Sequence, residues 1–375
     1  MNFIISPDSF KGTLSAQEAA RAMAEGITSV YPEVTCTLLP VADGGEGTLE
    51  VLVDLTEGRF IQIPVNDPLG RKINARYGIL GDQQTAVIEM AEASGIMHVT
   101  KEERDPFRAS TFGTGELIRH ALDQECRQFV IAIGGSATND GGIGMLRALG
   151  ASFYDEEGNE LGDHLPDYAG LANIDLTRFD SRLASCDFSI ACDVDNPLLG
   201  ERGATAIFGP QKGVTPEHAE VLEAVLARFA QVVQEVTGEA HHEKAGAGAA
   251  GGLGTALLAF FPAHLERGID SVLNAIDFNR HLKSADVVVT GEGKSDSQTL
   301  SGKAPLGISE RARAEGVPVA LLSGTIDEDE RAVLIPHFTY MESVVSEGCS
   351  LDTALTEPYK ALVLAAERLG RKLKL

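Results

Sequence analysis

The sequence FVIAIGGSATNDGGIGMLRAL, at residues 129–149, decides the fold. Residues 129–133 are an apolar run of strand length. Residues 134–142 form a loop in which two glycine pairs bracket Ser136, Thr138, Asn139 and Asp140, and apolar residues at helical spacing begin at Ile143. A strand that ends in a glycine-rich loop and restarts as a helix is the building unit of a parallel α/β sheet. The same order recurs along the chain. Residues 3–5 read as a strand, followed by a polar loop and a helix opened by the S-x-x-E capping box of Ser15 and Glu18. Residues 188–191 lead to Asp193, residues 286–290 to Gly291-Glu292-Gly293, and residues 317–322 to Ser323-Gly324-Thr325. Thr215 before Pro216 reads as an N-cap with proline at the first helical position, opening a long helix to about Val236. The expected fold is therefore α/β, with two α/β domains. The simple strand–helix units lie at the two chain ends, so residues 1–60 and 280–375 are expected to form one discontinuous domain with 61–279 inserted.

Composition narrows the function. The 375 residues carry 31 basic and 55 acidic side chains, a formal net charge of -24. Such a surface repels nucleic-acid phosphates and anionic lipid, so neither is an expected partner. Tryptophan is absent and only 6% of residues are aromatic, too few for a base-stacking platform. The five cysteines are scattered without a C-x-x-C, which fits reduced thiols in a cytoplasmic protein rather than a disulfide frame or zinc site. The first ten residues lack a basic segment followed by an apolar one, so no signal peptide is expected. The uncharged stretch 245–263 is long enough to span a bilayer, but its five glycines and one proline favour a buried glycine-rich turn leading into a core helix.

Polar residues concentrate in loops at the carboxyl ends of strands, where open α/β sheets bind ligands. The loop at 6–12 places Asp8, Ser9 and Lys11 together. Residues 42–48 set Asp43 and Glu46 among three glycines, oxygen donors suited to Mg²⁺ or an ordinary turn. Asp193 is a metal ligand, a general base or an N-cap by position. Lys212 sits between turn residues, where near a phosphate it would neutralise transition-state charge. Gly293-Lys294-Ser295 suggests a Walker A loop, but the glycine that motif requires is Val288. Kinase H-R-D and D-F-G signatures are absent, and no G-x-G-x-x-G follows the first strand. The G-x-G-x-x-G at 246–251 follows a charged segment instead, leaving helix packing and nucleotide contact both open. Together the loops describe a polyanion held by backbone amides and lysines with acids left for a metal, the requirements of phosphoryl transfer.

Here the sequence resembles the bacterial glycerate kinase family, type 1. The matching motifs are PDSFKG at 7–12, PVADGGEGT at 40–48, DPLGR at 67–71, IGGSATNDGG at 133–142, CDVDNPL at 192–198, GPQKG at 209–213, GAGAAGGLG at 246–254 and TGEGKSDSQT at 290–299. The resemblance implies transfer of phosphate from ATP to D-glycerate with Mg²⁺, the 2-phosphate as product, a two-domain fold with one flavodoxin-like domain, and a site in the cleft between domains. The expected partner is this small-molecule substrate, with a homodimer as the candidate assembly. In this reading Asp193 is the first choice for the base and Asp8 the second, with Lys11 beside it. Asp43, Glu46 and Asp296 are the Mg²⁺ candidates. Lys11, Lys212 and Lys303 would meet phosphate or carboxylate charge, and Gly134, Gly135, Ser136, Thr138 and Asn139 would cradle an anionic end. Gly291 and Glu292 would face the nucleotide, with Glu292 reading ribose hydroxyls. The rivals are a glycerate 3-kinase, a kinase or dehydrogenase acting on another small hydroxy acid, and a non-enzymatic carboxylate sensor; the missing dinucleotide fingerprint weakens the dehydrogenase, and the surplus of metal-suited acids the sensor.

Overall fold

The computed structural model describes residues 1–45, 47–300, 302–327 and 329–373. The chain divides into two compact units, Met1–Asp43 with Arg267–Leu375, and Gly44–Glu266. By internal packing the boundaries lie at 43/44 and 266/267, where the sequence suggests 60/61 and 279/280. Two sets of contacts place them there. The helix Thr48–Leu55 packs on the strands Lys72–Ile79 and Thr85–Glu89, with Leu49 and Val53 over Gly78. The helices Gly268–Ala275 and Phe278–Leu282 pack against Ala304–Ala314.

The discontinuous unit is built on a five-stranded sheet in the order Tyr340–Ser343, Val319–Ser323, Val287–Thr290, Asn2–Ile5, Thr35–Leu38. Every pair is parallel. Numbered within the unit this is the order 2-1-3-4-5 of flavodoxin-like sheets, which reverses between the first and third strands. Val287, Val288 and Val289 are fully buried, as a strand covered on both faces requires. The capping box is formed: Ser15 and Glu18 satisfy each other's backbone N–H at the start of Ala16–Val30. That helix crosses Pro358–Lys372 so closely at Gly26 that a Cβ there would lie 2.3 Å from the Val363 carbonyl oxygen.

The continuous unit carries a six-stranded sheet in the order Ala263–Glu266, Asp187–Ala191, Gln128–Ala132, Thr85–Glu89, Lys72–Ile79, Arg59–Asn66. The first four strands run parallel and the last two extend the sheet antiparallel. Phe129 and Phe188, on neighbouring strands, stack with ring centroids 4.5 Å apart in its core. The D-P-L-G-R motif is the hairpin turn between the antiparallel strands. The Asp67 carboxylate accepts from the N–H of Leu69 at 2.9 Å and of Arg71 at 2.8 Å, and from Arg71 Nε at 2.5 Å. Thr215 caps Pro216–Thr237 by accepting from the His218 N–H.

The glycine/alanine stretch forms the buried helix Ala249–Phe260, entered through three successive left-handed residues, Ala250, Gly251 and Gly252. A Cβ on Gly251 would sit 2.0 Å from the Thr138 carbonyl oxygen. The Gly251 carbonyl in turn accepts from the Gly141 N–H at 2.9 Å. Backbone packing against the 134–142 loop accounts for these glycines. Among the described residues no helix is long and apolar enough to cross a membrane. Cys126 and Cys186 are buried, Cys36, Cys192 and Cys349 half-buried, and all are free thiols.

Candidate active site

In the discontinuous unit, the loops that leave the two central strands are tied to each other. The Asp8 N–H donates to the Gly291 carbonyl at 2.9 Å, and the Thr290 hydroxyl donates to the Ser6 carbonyl at 2.8 Å. Gly291 is therefore a backbone partner of the Asp8 loop. These ties bring the Asp8 and Glu292 carboxyls to the point where strand order reverses, the position at which open α/β sheets bind ligands. Asp8, Lys11, Asp43, Glu292 and Lys303 line one cavity of about 380 Å³.

Two carboxyls in this cavity are shifted upward. Burial, then the negative charge of Asp43, raises the Asp8 carboxyl to about 7, against the ordinary 3.8; Glu292 adds to the rise, and the Ser9 N–H and Lys11 oppose it. Glu292 is likewise raised by burial, although hydroxyl donors partly offset the effect. Its Oε1 accepts from Ser295 Oγ at 3.0 Å and Thr299 Oγ1 at 2.6 Å, and its Oε2 lies 3.7 Å from Lys303 Nζ. A carboxyl poised near neutrality is matched to taking a proton at physiological pH.

In the continuous unit the glycine loop divides into two parts. Gly134 and Gly135 are exposed and line a cavity of about 420 Å³ with Arg76, Glu89 and Glu92. Glu89 closes its strand, accepts from the Leu49 N–H at 2.9 Å, and is raised by burial to about 7. The rest of the loop is buried. Asp140 is its staple, accepting from Thr111 N and Oγ1 at 2.8 Å, Gly142 N at 3.1 Å and Gly144 N at 3.2 Å. Lys212 reaches in from the turn Pro210–Lys212, only 2% exposed, and donates to Ser136 Oγ and to the Thr138 carbonyl, both at 2.7 Å. Burial pulls its ammonium down to about 7. Asn139 Nδ2 donates to Thr205 Oγ1 at 3.1 Å, while Asn139 Oδ1 and Thr138 Oγ1 are buried without a hydrogen-bond partner among the described residues.

A sequence model of the glycerate kinase family matches residues 3–374. A glycerate kinase of Bacillus subtilis (strain 168) is 46% identical over 100% of this chain and 98% of its own.

The chain belongs to the glycerate kinase family.

A protein of Escherichia coli (strain K12) named glycerate 2-kinase is 41% identical over 100% of this chain and 98% of its own. A crystal structure assigned to glycerate kinase 2 of Salmonella typhimurium LT2 superposes with a TM-score of 0.90 at 44% identity, covering 100% of this chain and 98% of that one. The protein is thus a kinase enzyme of α/β fold, a size and family for which the rival sensor reading has no support.

Against this identity the expected site residues fall into groups. Asp8, Lys11, Asp43, Glu292 and Lys303 share the first cavity. Gly134 and Gly135 line the second, and Ser136, Thr138, Asn139 and Lys212 form the buried cluster behind it. Asp193, two residues past the strand Asp187–Ala191, is exposed and lines neither cavity. Asp296 is paired with Lys294 at 3.0 Å and accepts from the Gln298 N–H, which together hold its carboxyl below the ordinary range. Glu46 lies outside the described residues. Among the described residues no group of three or more His, Cys, Asp or Glu side chains is arranged to hold a metal ion. Sequence reasoning missed Glu89; the available signal was a lone carboxylate closing the apolar strand Thr85–Glu89.

Proposed function

We propose that this glycerate kinase family member transfers the γ-phosphoryl group of ATP to the C2 hydroxyl of D-glycerate, giving 2-phosphoglycerate and ADP. The observation that carries the reading is Asp8, a buried carboxyl raised to about 7 in a cavity shared with Asp43, Glu292, Lys11 and Lys303. The product assignment rests on the name of the Escherichia coli relative. Asp8 accepts the proton of the attacking hydroxyl as the new oxygen–phosphorus bond forms and the bond to the ADP oxygen breaks. Lys11 and Lys303 face the charge that gathers on the transferred group.

Mg²⁺ takes oxygen donors and needs only one or two carboxylates when phosphates and water complete its shell. Asp43, whose carboxylate lines the same cavity and whose charge helps raise Asp8, is the residue that would hold the ion. When bound, Mg²⁺ supplies charge neutralisation at the phosphate oxygens. Asp296, already neutralised by Lys294, has the weaker claim.

Phosphorus-31 NMR of the purified protein with MgATP and D-glycerate tests the reading. A 2-phosphoglycerate signal growing in step with ADP is expected. A 3-phosphoglycerate signal would keep the kinase and overturn the position of transfer, and no glycerate-dependent ADP would overturn the reaction itself.

A further inference from the structure

We infer that the nucleoside half of the phosphoryl donor lies along the apolar side of the same cavity, and that its base is recognised by shape rather than by hydrogen bonds. The inference rests on the proposed kinase reaction. Beyond the charged residues, the cavity is lined by Val344, Val345, Leu351, Ala354 and Leu355. Val344 and Val345 continue the edge strand Tyr340–Ser343. That strand lies two places from Val287–Thr290, which leads to Glu292, and three from Asn2–Ile5, which leads to Asp8. At about 4.8 Å per strand, the apolar wall is about 10 Å from the Glu292 loop and about 14 Å from the Asp8 loop. A nucleoside triphosphate bridges such a span, with its phosphates among Lys11, Lys294 and Lys303 and its base against the leucines.

Two features of the wall support a base as its occupant. Leu351 and Leu355, one turn apart on the helix Leu351–Thr356, are 54% and 57% exposed. An apolar pair left in water at the mouth of a charged cavity gains from covering by a flat, weakly polar ring. Three backbone donors there are also already committed. The N–H groups of Val344, Val345 and Ser346 donate to the carbonyls of Ser323, Gly324 and Cys349. None of these donors is left to read the edge of a base, and the five apolar side chains carry no polar atom of their own.

Sites without polar groups aimed at a ligand discriminate weakly, whereas sites built to hydrogen-bond a group reject its analogue by about 10⁴-fold or more. ATP, GTP and ITP are therefore expected to give kcat/KM values within about tenfold of one another. Binding is tested separately from turnover by the fluorescence of N-methylanthraniloyl-ADP. Leu355→Asp, which sets a carboxylate against the base, is expected to weaken binding about tenfold or more, and Leu351→Asp to do the same. Both side chains are more than half exposed, so both variants are expected to keep the wild-type circular dichroism spectrum.

Unchanged dissociation constants in both variants would overturn the inference, as would a rise confined to the KM for D-glycerate. A preference for ATP over GTP above about 10³-fold would overturn recognition by shape. Failure of the kinase reading would show differently, as an absence of glycerate-dependent ADP in the wild-type protein whatever the binding data.

Discussion

The buried Lys212 makes a prediction that needs no substrate. Its Nζ has two neutral partners, Ser136 Oγ and the Thr138 carbonyl, and no ion pair among the described residues. Burial disfavours the charged form, and the attraction of Asp140 offsets this only in part, so the folded-state value is about 7 against 10.5 for the free side chain. Below pH 7 both states bind the proton, and the cost of burying the ammonium is present in full, about 5 kcal/mol for that gap. Between 7 and 10.5 the unfolded chain binds the proton and the folded one does not, so stability rises with pH. The slope from this one group approaches about 1.4 kcal/mol per pH unit, or about 2.5 kcal/mol between pH 7.5 and 9.5. Other groups titrate over the same range, and subtraction of a variant removes them. Lys212→Met keeps the length of the side chain and loses the proton. Urea unfolding of both proteins, followed by circular dichroism from pH 6 to 10, should give stability curves that diverge above pH 7, with the wild type gaining. Parallel curves across that range would refute the reasoning, because a lysine charged throughout, or reached by water, leaves no slope to subtract.

Further outcomes concern the two candidate bases and the glycine tract. Asp8→Asn is expected to lower kcat by about 10²-fold or more with the circular dichroism spectrum unchanged, measured by coupled ADP release. Asp193→Asn, at an exposed carboxylate, is expected to cost less, and a loss confined to Asp193→Asn would move the base to that residue. Gly251→Ala combines a left-handed backbone with a Cβ 2.0 Å from the Thr138 carbonyl oxygen, and is expected to destabilise by about 2 kcal/mol or more in a thermal melt. An unchanged midpoint would show that the loop and the helix turn can separate at little cost.

Much of this architecture was legible because its signals are local. The apolar runs before residues 6, 134, 192 and 291 became parallel strands, and the caps at Ser15 and Thr215 formed as their spacing implied. The edge of the mixed sheet was not read. Arg59–Asn66 is half-buried, contains Pro64 and pairs antiparallel, so it lacks the apolar run of a central strand; an edge is where a proline is tolerated in a sheet. The candidate site divides in the same way. Asp8 and Glu292 stood out as charges closing apolar strands. Glu89 has the same signature without flanking glycines and escaped. Lys212 read as a loop charge facing phosphate, and only tertiary packing reveals that Ser136 and the Thr138 carbonyl enclose its ammonium.

The placement of the first strand also sets an order of events during synthesis. Asn2–Ile5 is central in its sheet, flanked by Thr35–Leu38 on one side and Val287–Thr290 on the other. When the ribosome has made the first two strands, their third neighbour lies beyond the whole of Gly44–Glu266 and does not yet exist. The continuous unit has its own core and meets no such delay, so it can collapse while the amino-terminal strands wait with an open edge. Once it is compact, its ends are held no farther apart than a folded unit is wide, far less than an unfolded chain of that length spans, which lowers the entropy lost when residues 287–290 arrive beside residues 2–5. The inserted segment thus serves the nascent chain as a clasp, drawing together two halves of a sheet made at opposite ends of translation.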